Sequence, residues 1–170
     1  MVSFAHIRSI ASLALQLAIL GALIAAILFV RTPPVSGHSM EPHIASGEIV
    51  LIDTLAYRLG APKRGDIVEF HHDASTPELY IKRVVAVSGD RVRIDRGALF
   101  VNGARVDEPY VRFPDSRSFP EITVPAGSVY VLGDNRPDSE DSRIFGPVPD
   151  SDLVGRAIAG IWPLAAVGAL

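Results

Sequence analysis

The chain has 170 residues, a net charge of -3 and no cysteine. Its length allows one modest domain plus a short extra segment. There is no basic excess of the kind that binds nucleic acid, and the lack of cysteine excludes disulfides, a thiol nucleophile and cysteine metal sites.

The most apolar stretch runs from Ile10 to Val30, carries no charge and is bracketed by Arg8 and Arg31. As a helix it would span about 30 Å, the thickness of a hydrocarbon core. A cleavable signal peptide would be shorter and would end in a small-x-small site, whereas Arg31 and two prolines follow here. The sequence therefore predicts a retained transmembrane helix, with residues 1–31 as tail and anchor. One arginine on each side leaves its orientation open.

After residue 34 the chain changes to short apolar runs separated by glycine and proline, which favours a mainly β domain over residues 32–170. Residues 55–59 fit a single helical turn, and residues 95–97 indicate a hairpin. A smaller inserted region covers about 91–126, and we expect its part from 108 to 125 to be irregular. Strands are predicted at 48–53, 66–70, 79–87, 91–94, 98–101 and 128–132.

Ser39 lies between Gly37, which permits unusual backbone angles, and Pro42, which fixes the backbone. Such a segment holds a hydroxyl in place while a substrate backbone approaches closely. Serine needs a base to act as a nucleophile, so an ordinary loop serine remains the alternative. His38 is adjacent, but neighbours in an extended chain point to opposite faces, which disfavours it as the base.

The sequence His71-His72-Asp73 has the composition of a metal site. It follows the end of a predicted strand and precedes Ala-Ser-Thr-Pro, so a solvated loop is the favoured interpretation. We therefore expect no metal and no cofactor.

Lys82 lies inside an otherwise apolar predicted strand. Burial would favour its neutral amine and lower its pKa, which would allow it to take a proton from a serine. The alternative is a lysine at a strand edge whose ammonium reaches water. The residues alone leave both possibilities open.

The stretch from Gly133 to Gly146 follows a predicted strand and is rich in hydrogen-bonding side chains. A solvated acidic loop is one interpretation, and the spacing is wrong for an EF-hand calcium loop. Opposite charges two and three residues apart suit a rigid paired network that could orient the lysine.

Three segments together resemble the bacterial type I signal peptidases, which are membrane-anchored serine–lysine proteases. Ser39-Met40-Glu41-Pro42 is similar to the nucleophile box, and residues 80–90 are similar to the lysine box. Residues 133–146 are similar to the third box. With the apolar segment in front, the resemblance covers nearly the whole chain in the family's order. It implies an antiparallel β catalytic domain of the type shared with the SOS-repressor proteases.

By this resemblance Ser39 is the nucleophile and Lys82 the general base. Ser139 matches a serine that hydrogen-bonds the lysine and positions it. The Ser39 N–H is expected in the oxyanion hole. Some family members add a hydroxyl two residues before the nucleophile, where this chain has Gly37. Two structural ion pairs are implied, Asp141 with Arg143 and Asp134 with Arg83. Substrate pockets are implied at Val35, Met40, Ile44, Tyr80 and Ile81.

The implied activity is removal of signal peptides from exported precursors by cutting after small residues, as in Ala-x-Ala. The family further implies a single-pass protein of the bacterial cytoplasmic membrane, whose catalytic domain lies on the extracytoplasmic side. Its partners would be precursor proteins and membrane lipid, and it would act as a monomer without nucleic acid.

Three other classes share part of this pattern. Self-cleaving SOS-type repressors share the serine–lysine dyad but lack an anchor and the Gly-Asp-Asn-Arg sequence. A maturation protease of conjugative transfer would have a similar nucleophile box. An anchored, non-catalytic β module is disfavoured because no residue required for catalysis is missing.

Overall fold

The computed structural model describes residues 4–72 and 77–170. The first helix, α1, covers Phe4–Phe29 and therefore begins before the predicted apolar stretch. Its last carbonyl, that of Phe29, accepts hydrogen bonds from the Thr54 N–H at 3.0 Å and the Thr54 hydroxyl at 2.9 Å. The end of α1 is thus attached to the β domain. Among residues 4–72 and 77–170, no helix combines the length and the hydropathy of a membrane-spanning segment.

The remaining described residues include twelve strands, two short α-helices, α2 (Ala56–Leu59) and α3 (Ser142–Phe145), and two single-turn 3-10 helices, Asp150–Asp152 and Leu164–Ala166. The strands are β1 (Val30–Arg31), β2 (Ile49–Asp53), β3 (Ile67–His71), β4 (Leu79–Val87), β5 (Arg91–Asp95), β6 (Ala98–Val101), β7 (Ala104–Arg105), β8 (Phe119–Thr123), β9 (Ser128–Leu132), β10 (Val148–Pro149), β11 (Leu153–Trp162) and β12 (Gly168–Ala169).

Eight strands form one antiparallel sheet in the order β1-β2-β11-β3-β4-β9-β10, with β12 beside β11. This order places β4, which carries Lys82, in the interior of the sheet. The mainly β, antiparallel character predicted from the sequence is confirmed.

The other four strands form a second sheet in the order β7-β6-β5-β8. It occupies the region predicted as a smaller insertion, and β5 and β6 form the predicted hairpin. The expectation of irregular structure from 108 to 125 was wrong for β8, which pairs with β5. Pro120 is compatible with this strand because β8 lies at the sheet edge, where one missing N–H is tolerated.

Two features of the large sheet were not predicted. The ten-residue strand β11 pairs with both β2 and β3, so it is central to the sheet. Val30 and Arg31 pair with Asp53 and Ile52, although the sequence analysis placed both residues in the anchor segment. The large sheet therefore begins directly at the end of α1.

Apolar side chains pack into three groups. One group joins the two sheets and includes Val92, Leu99 and Leu132. A second lies beneath the segment that carries Ser39, and a third lies around Phe70 on β3. Several charged side chains are buried as well, and five of them lie in or beside the site described next: Lys82, Arg83, Asp134, Asp141 and Arg143.

Candidate active site

Ser39 is held in a compact turn by its neighbours. Gly37 has a φ of +88°, a left-handed conformation that favours glycine, as the sequence suggested. Met40 and Ile44 are fully buried in the core below, and the Ile44 N–H donates to the Met40 carbonyl at 2.9 Å. The turn is therefore fixed from beneath while Ser39 stays at the surface of a cleft.

Strand β4 brings Lys82 to Ser39. The Lys82 Nζ lies 2.8 Å from the Ser39 Oγ and 3.0 Å from the Ile81 carbonyl oxygen. Lys82 is only 4% exposed, so its amine does not reach bulk water as a strand-edge lysine would. The Tyr80 ring is also close, with its centroid 5.2 Å from the amine.

Burial lowers the pKa of Lys82 to about 8, and the charges of Asp141 and Glu140 oppose this only in part. Desolvation penalises the ammonium, and no carboxylate among the described residues lies within salt-bridge distance to compensate this penalty. A substantial fraction of neutral amine is therefore present at mildly alkaline pH, and the neutral amine accepts a proton from the serine hydroxyl.

The segment after β9 packs directly against the nucleophile turn. The Asn135 N–H donates to the Ser39 carbonyl at 2.9 Å, and its side-chain amide donates to the His38 carbonyl at 3.1 Å. A Cβ on Gly133 would lie 2.3 Å from the Ser139 Oγ and 2.6 Å from the Ser39 carbonyl oxygen. Only glycine fits at this close approach.

Asp141 organises the same segment. Its carboxylate accepts from Arg143 Nε and Nη2, both at 2.7 Å, from the Gly133 N–H at 3.0 Å and from the Ser139 hydroxyl at 2.7 Å. Burial alone would raise the pKa of Asp141, but the hydrogen bonds and charge of Arg143 outweigh it and hold the pKa below its usual range. Asp141 and Arg143 form a buried ion pair, and Asp115 contacts Arg143 from the other side at 2.7 Å.

Ser139 makes a different contact from the expected one. Its hydroxyl donates to Asp141, and no hydrogen bond joins it to Lys82 within residues 4–72 and 77–170. The reason is that the Asp141 carboxylate is a stronger acceptor for the hydroxyl than an amine. The proposed influence of Ser139 on Lys82 is therefore indirect.

Arg83 and Asp134 form the second predicted pair, with contacts of 2.9 and 2.7 Å between buried side chains. The Tyr110 ring covers the guanidinium at 4.2 Å from its centroid. Because Arg83 follows Lys82 directly on β4, this pair fixes the strand that carries the amine.

A cleft of about 320 Å³ opens beside Ser39. Of the predicted substrate-contacting residues, Val35, Tyr80 and Ile81 line it. Met40 and Ile44 do not, because both are packed in the core behind it. Glu69, a buried carboxylate on β3 that was not predicted as a site residue, is also in the lining.

The backbone N–H of Ser39 donates no hydrogen bond to any residue that the structure describes. It is therefore available to a substrate oxygen at the mouth of the cleft. Gly37 has no side-chain donor to add, so this N–H is the candidate donor that the segment itself offers.

His38 and His72 make their contacts with groups other than the serine hydroxyl. His38 Nδ1 lies 2.8 Å from Glu41 Oε1 at the surface, and the hydrogen bond and charge of Glu41 raise the pKa of His38. His72 stacks near the Tyr80 and Phe145 rings, with centroid distances of 4.9 and 4.4 Å. Asp73, the last residue of the His-His-Asp sequence, lies outside the described residues.

Gly133 and Asn135 were not identified as site residues from the sequence. Both belong to the Gly-Asp-Asn-Arg sequence that supported the resemblance, so the signal was present. What the sequence could not show is that this segment contacts the Ser39 turn, which lies almost 100 residues earlier along the chain.

A serine hydroxyl hydrogen-bonded to a buried lysine beside a cleft is the arrangement expected of a hydrolase with an amine base. The family model for signal peptidase, peptidase S26, matches residues 7–162. Signal peptidase I of Bacillus caldolyticus is 41% identical over 143 residues, which cover 76% of this chain and 78% of the relative. A probable signal peptidase I-2 of Synechocystis is 39% identical, over 78% of this chain and 63% of the relative's length.

A solved structure gives the same result. The crystal structure of a signal peptidase I from Enterococcus faecalis matches with a TM-score of 0.51 and 30% identity, and covers 57% of this chain and 97% of that one. The chain belongs to the family of bacterial type I signal peptidases, and its relatives support the removal of signal peptides by a serine peptidase.

Proposed function

We propose that this chain is a membrane-anchored endopeptidase that removes signal peptides with Ser39 as nucleophile and Lys82 as general base. The observation that carries the proposal is the 2.8 Å contact between Lys82 Nζ and Ser39 Oγ, made by a lysine whose burial lowers its pKa. A serine and a neutral amine within hydrogen-bond distance are the two groups that the chemistry requires.

The proposed reaction has two steps. The neutral amine of Lys82 takes the hydroxyl proton as Ser39 Oγ attacks the scissile carbonyl, and the Ser39 N–H stabilises the resulting oxyanion. Lys82 then returns the proton to the leaving amine, which leaves an acyl-enzyme. Water attacks this ester with Lys82 again as base, and the carboxylate product and free Ser39 are released.

The cleft supports a preference for small side chains before the cut, as in Ala-x-Ala. Its lining includes Val35, Ile81 and the Tyr80 ring, and its volume of about 320 Å³ leaves room for a few small side chains. An extended peptide places its first and third side chains on one face, so both would enter the cleft.

The same proposal predicts how the rate depends on pH. Because the reactive form is neutral Lys82, the rate of cleavage after Ala-x-Ala should rise with pH through about 8 and then level off. A rise near 10.4, the value of an ordinary lysine, would contradict a buried amine base. The measurement is kcat/KM for a purified precursor in detergent from pH 6 to 11, with the new N-terminus sequenced. A precursor with a bulky residue just before the cut is the control and should not be cleaved.

We further propose that α1 anchors the chain in the cytoplasmic membrane, with the β domain outside the cytoplasm. The helix has 26 residues, or about 39 Å, and its leucines such as Leu13, Leu17 and Leu28 are exposed. An exposed apolar face of this length suits a lipid environment. Pairing of β1 with β2 and the Thr54 contacts would then hold the active site close to the membrane surface.

Protease protection tests this topology. Protease added to right-side-out membrane vesicles should digest the β domain, while inverted vesicles should protect it until they are lysed. A cytoplasmic protein with a known location, probed in the same vesicles, controls for leakage. Digestion only in the inverted vesicles would contradict the proposed orientation.

A further inference from the structure

We infer that Glu69 forms the polar floor of the subsite for the third residue before the cut, and that it selects a small side chain bearing a hydroxyl. The inference rests on the proposed function, because it concerns the substrate of the same cleft. It adds a specificity determinant that the serine–lysine chemistry does not require.

Glu69 lines the same cleft as the reactive pair. It lies on β3 opposite Ile81, one strand farther from Ser39 than Lys82. The segment from Arg31 to Ser39 runs along the cleft. At its start Arg31 Nη1 contacts Glu69 Oε2 at 3.0 Å, and at its end Ser39 contacts Lys82. This segment therefore forms one wall of the cleft, which contacts Glu69 near its start and Lys82 at its end.

The carboxylate has unused hydrogen-bonding capacity. Glu69 is only 5% exposed, and within the described residues Arg31 on Oε2 is its one hydrogen-bond donor. Glu69 lines the cleft, and its Oε1 accepts from no residue that the structure describes. Burial raises the pKa of Glu69, against the opposing charges of Arg31 and His71. A donor from the substrate would therefore relieve a poorly solvated oxygen.

The shape of a bound peptide directs its third side chain to this point. In an extended chain the first and third side chains share a face and are about 7 Å apart. With the first at Ser39, the third extends along the wall towards Glu69. The neighbouring side chains there, Val35, Val50 and Ile81, are apolar.

A side chain that suits both the apolar neighbours and the Glu69 carboxylate is small, is partly apolar and carries one hydrogen-bond donor. Threonine and serine meet this description. Because Arg31 already compensates the charge of Glu69, a neutral hydroxyl fits better than a second cation.

The test compares two precursors that differ only in threonine or valine at the third position, because these side chains have nearly the same shape. The wild-type enzyme should cleave the threonine precursor with a kcat/KM about tenfold higher. In Glu69→Val the ratio of kcat/KM for the threonine precursor to kcat/KM for the valine precursor should fall to one or below. Glu78→Gln is the matched control, because Glu78 is an exposed acid on the same cleft, and it should keep the wild-type ratio.

Both precursors are assayed with the same enzyme preparation, so a lower amount of folded enzyme does not change the ratio of the two kcat/KM values. If Glu69→Val folds poorly, Glu69→Gln keeps the shape with a weaker, neutral acceptor, and its ratio should drop to about threefold. A wild-type ratio near one, or the same ratio in wild type and both Glu69 variants, would overturn the inference. Failure to cleave either precursor or an Ala-x-Ala precursor would instead count against the proposed function.

Discussion

Replacing Ser39 or Lys82 with alanine should each reduce precursor cleavage by at least about 10³-fold, and the double variant should be little worse than either one. The reason is that the two side chains act as one unit through their 2.8 Å contact. Without the hydroxyl there is no nucleophile, and without the amine nothing accepts its proton. The measurement is kcat/KM at pH 9, where most of the wild-type Lys82 should be neutral.

Two controls separate this prediction from its alternatives. Lys82→Met keeps a long side chain in the buried position and removes only the amine, so it should be as inactive as Lys82→Ala while retaining the wild-type thermal midpoint more closely. His38→Ala should keep activity within a few-fold, because its ring contacts Glu41 instead of the hydroxyl. Strong activity in Lys82→Met, or its loss in His38→Ala, would move the role of base away from lysine.

Replacing Asp141 with alanine should reduce stability and activity together. The carboxylate is fully buried and holds Arg143, the Gly133 N–H and the Ser139 hydroxyl at once. Loss of one partner of a buried pair costs about 3 kcal/mol, which corresponds to a decrease of roughly 10 °C in the thermal midpoint. Activity should fall because the segment that supports the Ser39 turn loses its central acceptor.

Asp115→Ala provides the matched control for that prediction. Asp115 also contacts Arg143 at 2.7 Å, but it makes no hydrogen bond to Gly133 or Ser139 among the described residues. The Asp115→Ala substitution should therefore destabilise the fold while leaving kcat/KM of the folded enzyme close to the wild-type value. Ser139→Ala removes one hydroxyl, and we expect a smaller loss of stability, about 1 kcal/mol, with a partial loss of rate. If Asp141→Ala and Asp115→Ala had equal kcat/KM, the supporting role of Asp141 in the site would be wrong.

Local patterns in the sequence were sufficient for most of the strands. Strands β2, β4, β5, β6 and β9 are short apolar runs bounded by turn residues, and all were predicted close to their observed limits. The strand β11 was missed because Gly155, Gly160 and its alanines give it little intrinsic strand preference. Its conformation comes from pairing with β2 and β3, which no local window contains.

The candidate site, like the fold, was predictable in part from local sequence and in part only from long-range contacts. The sequence by itself identified the serine, the lysine and the two ion pairs, because their segments resemble a family in which these residues occur in this order. It could not decide whether Lys82 is buried or reaches water, since burial depends on which strands flank β4 and what covers them. It also placed Met40 and Ile44 in the substrate pockets and joined Ser139 to the lysine, whereas Met40 and Ile44 pack in the core and the Ser139 hydroxyl donates to Asp141.

The sequence determined the apolar N-terminal segment, the mainly β domain and the chemical groups at the site, because these follow from composition, short-range periodicity and motif. Only the tertiary structure decided that Lys82 reaches Ser39 across 43 positions of sequence, that Asn135 supports the nucleophile turn, and that Glu69 lies in the cleft. The physical reason is that desolvation, and with it the lowered pKa of Lys82, arises from the packing of distant strands and has no counterpart in the local sequence.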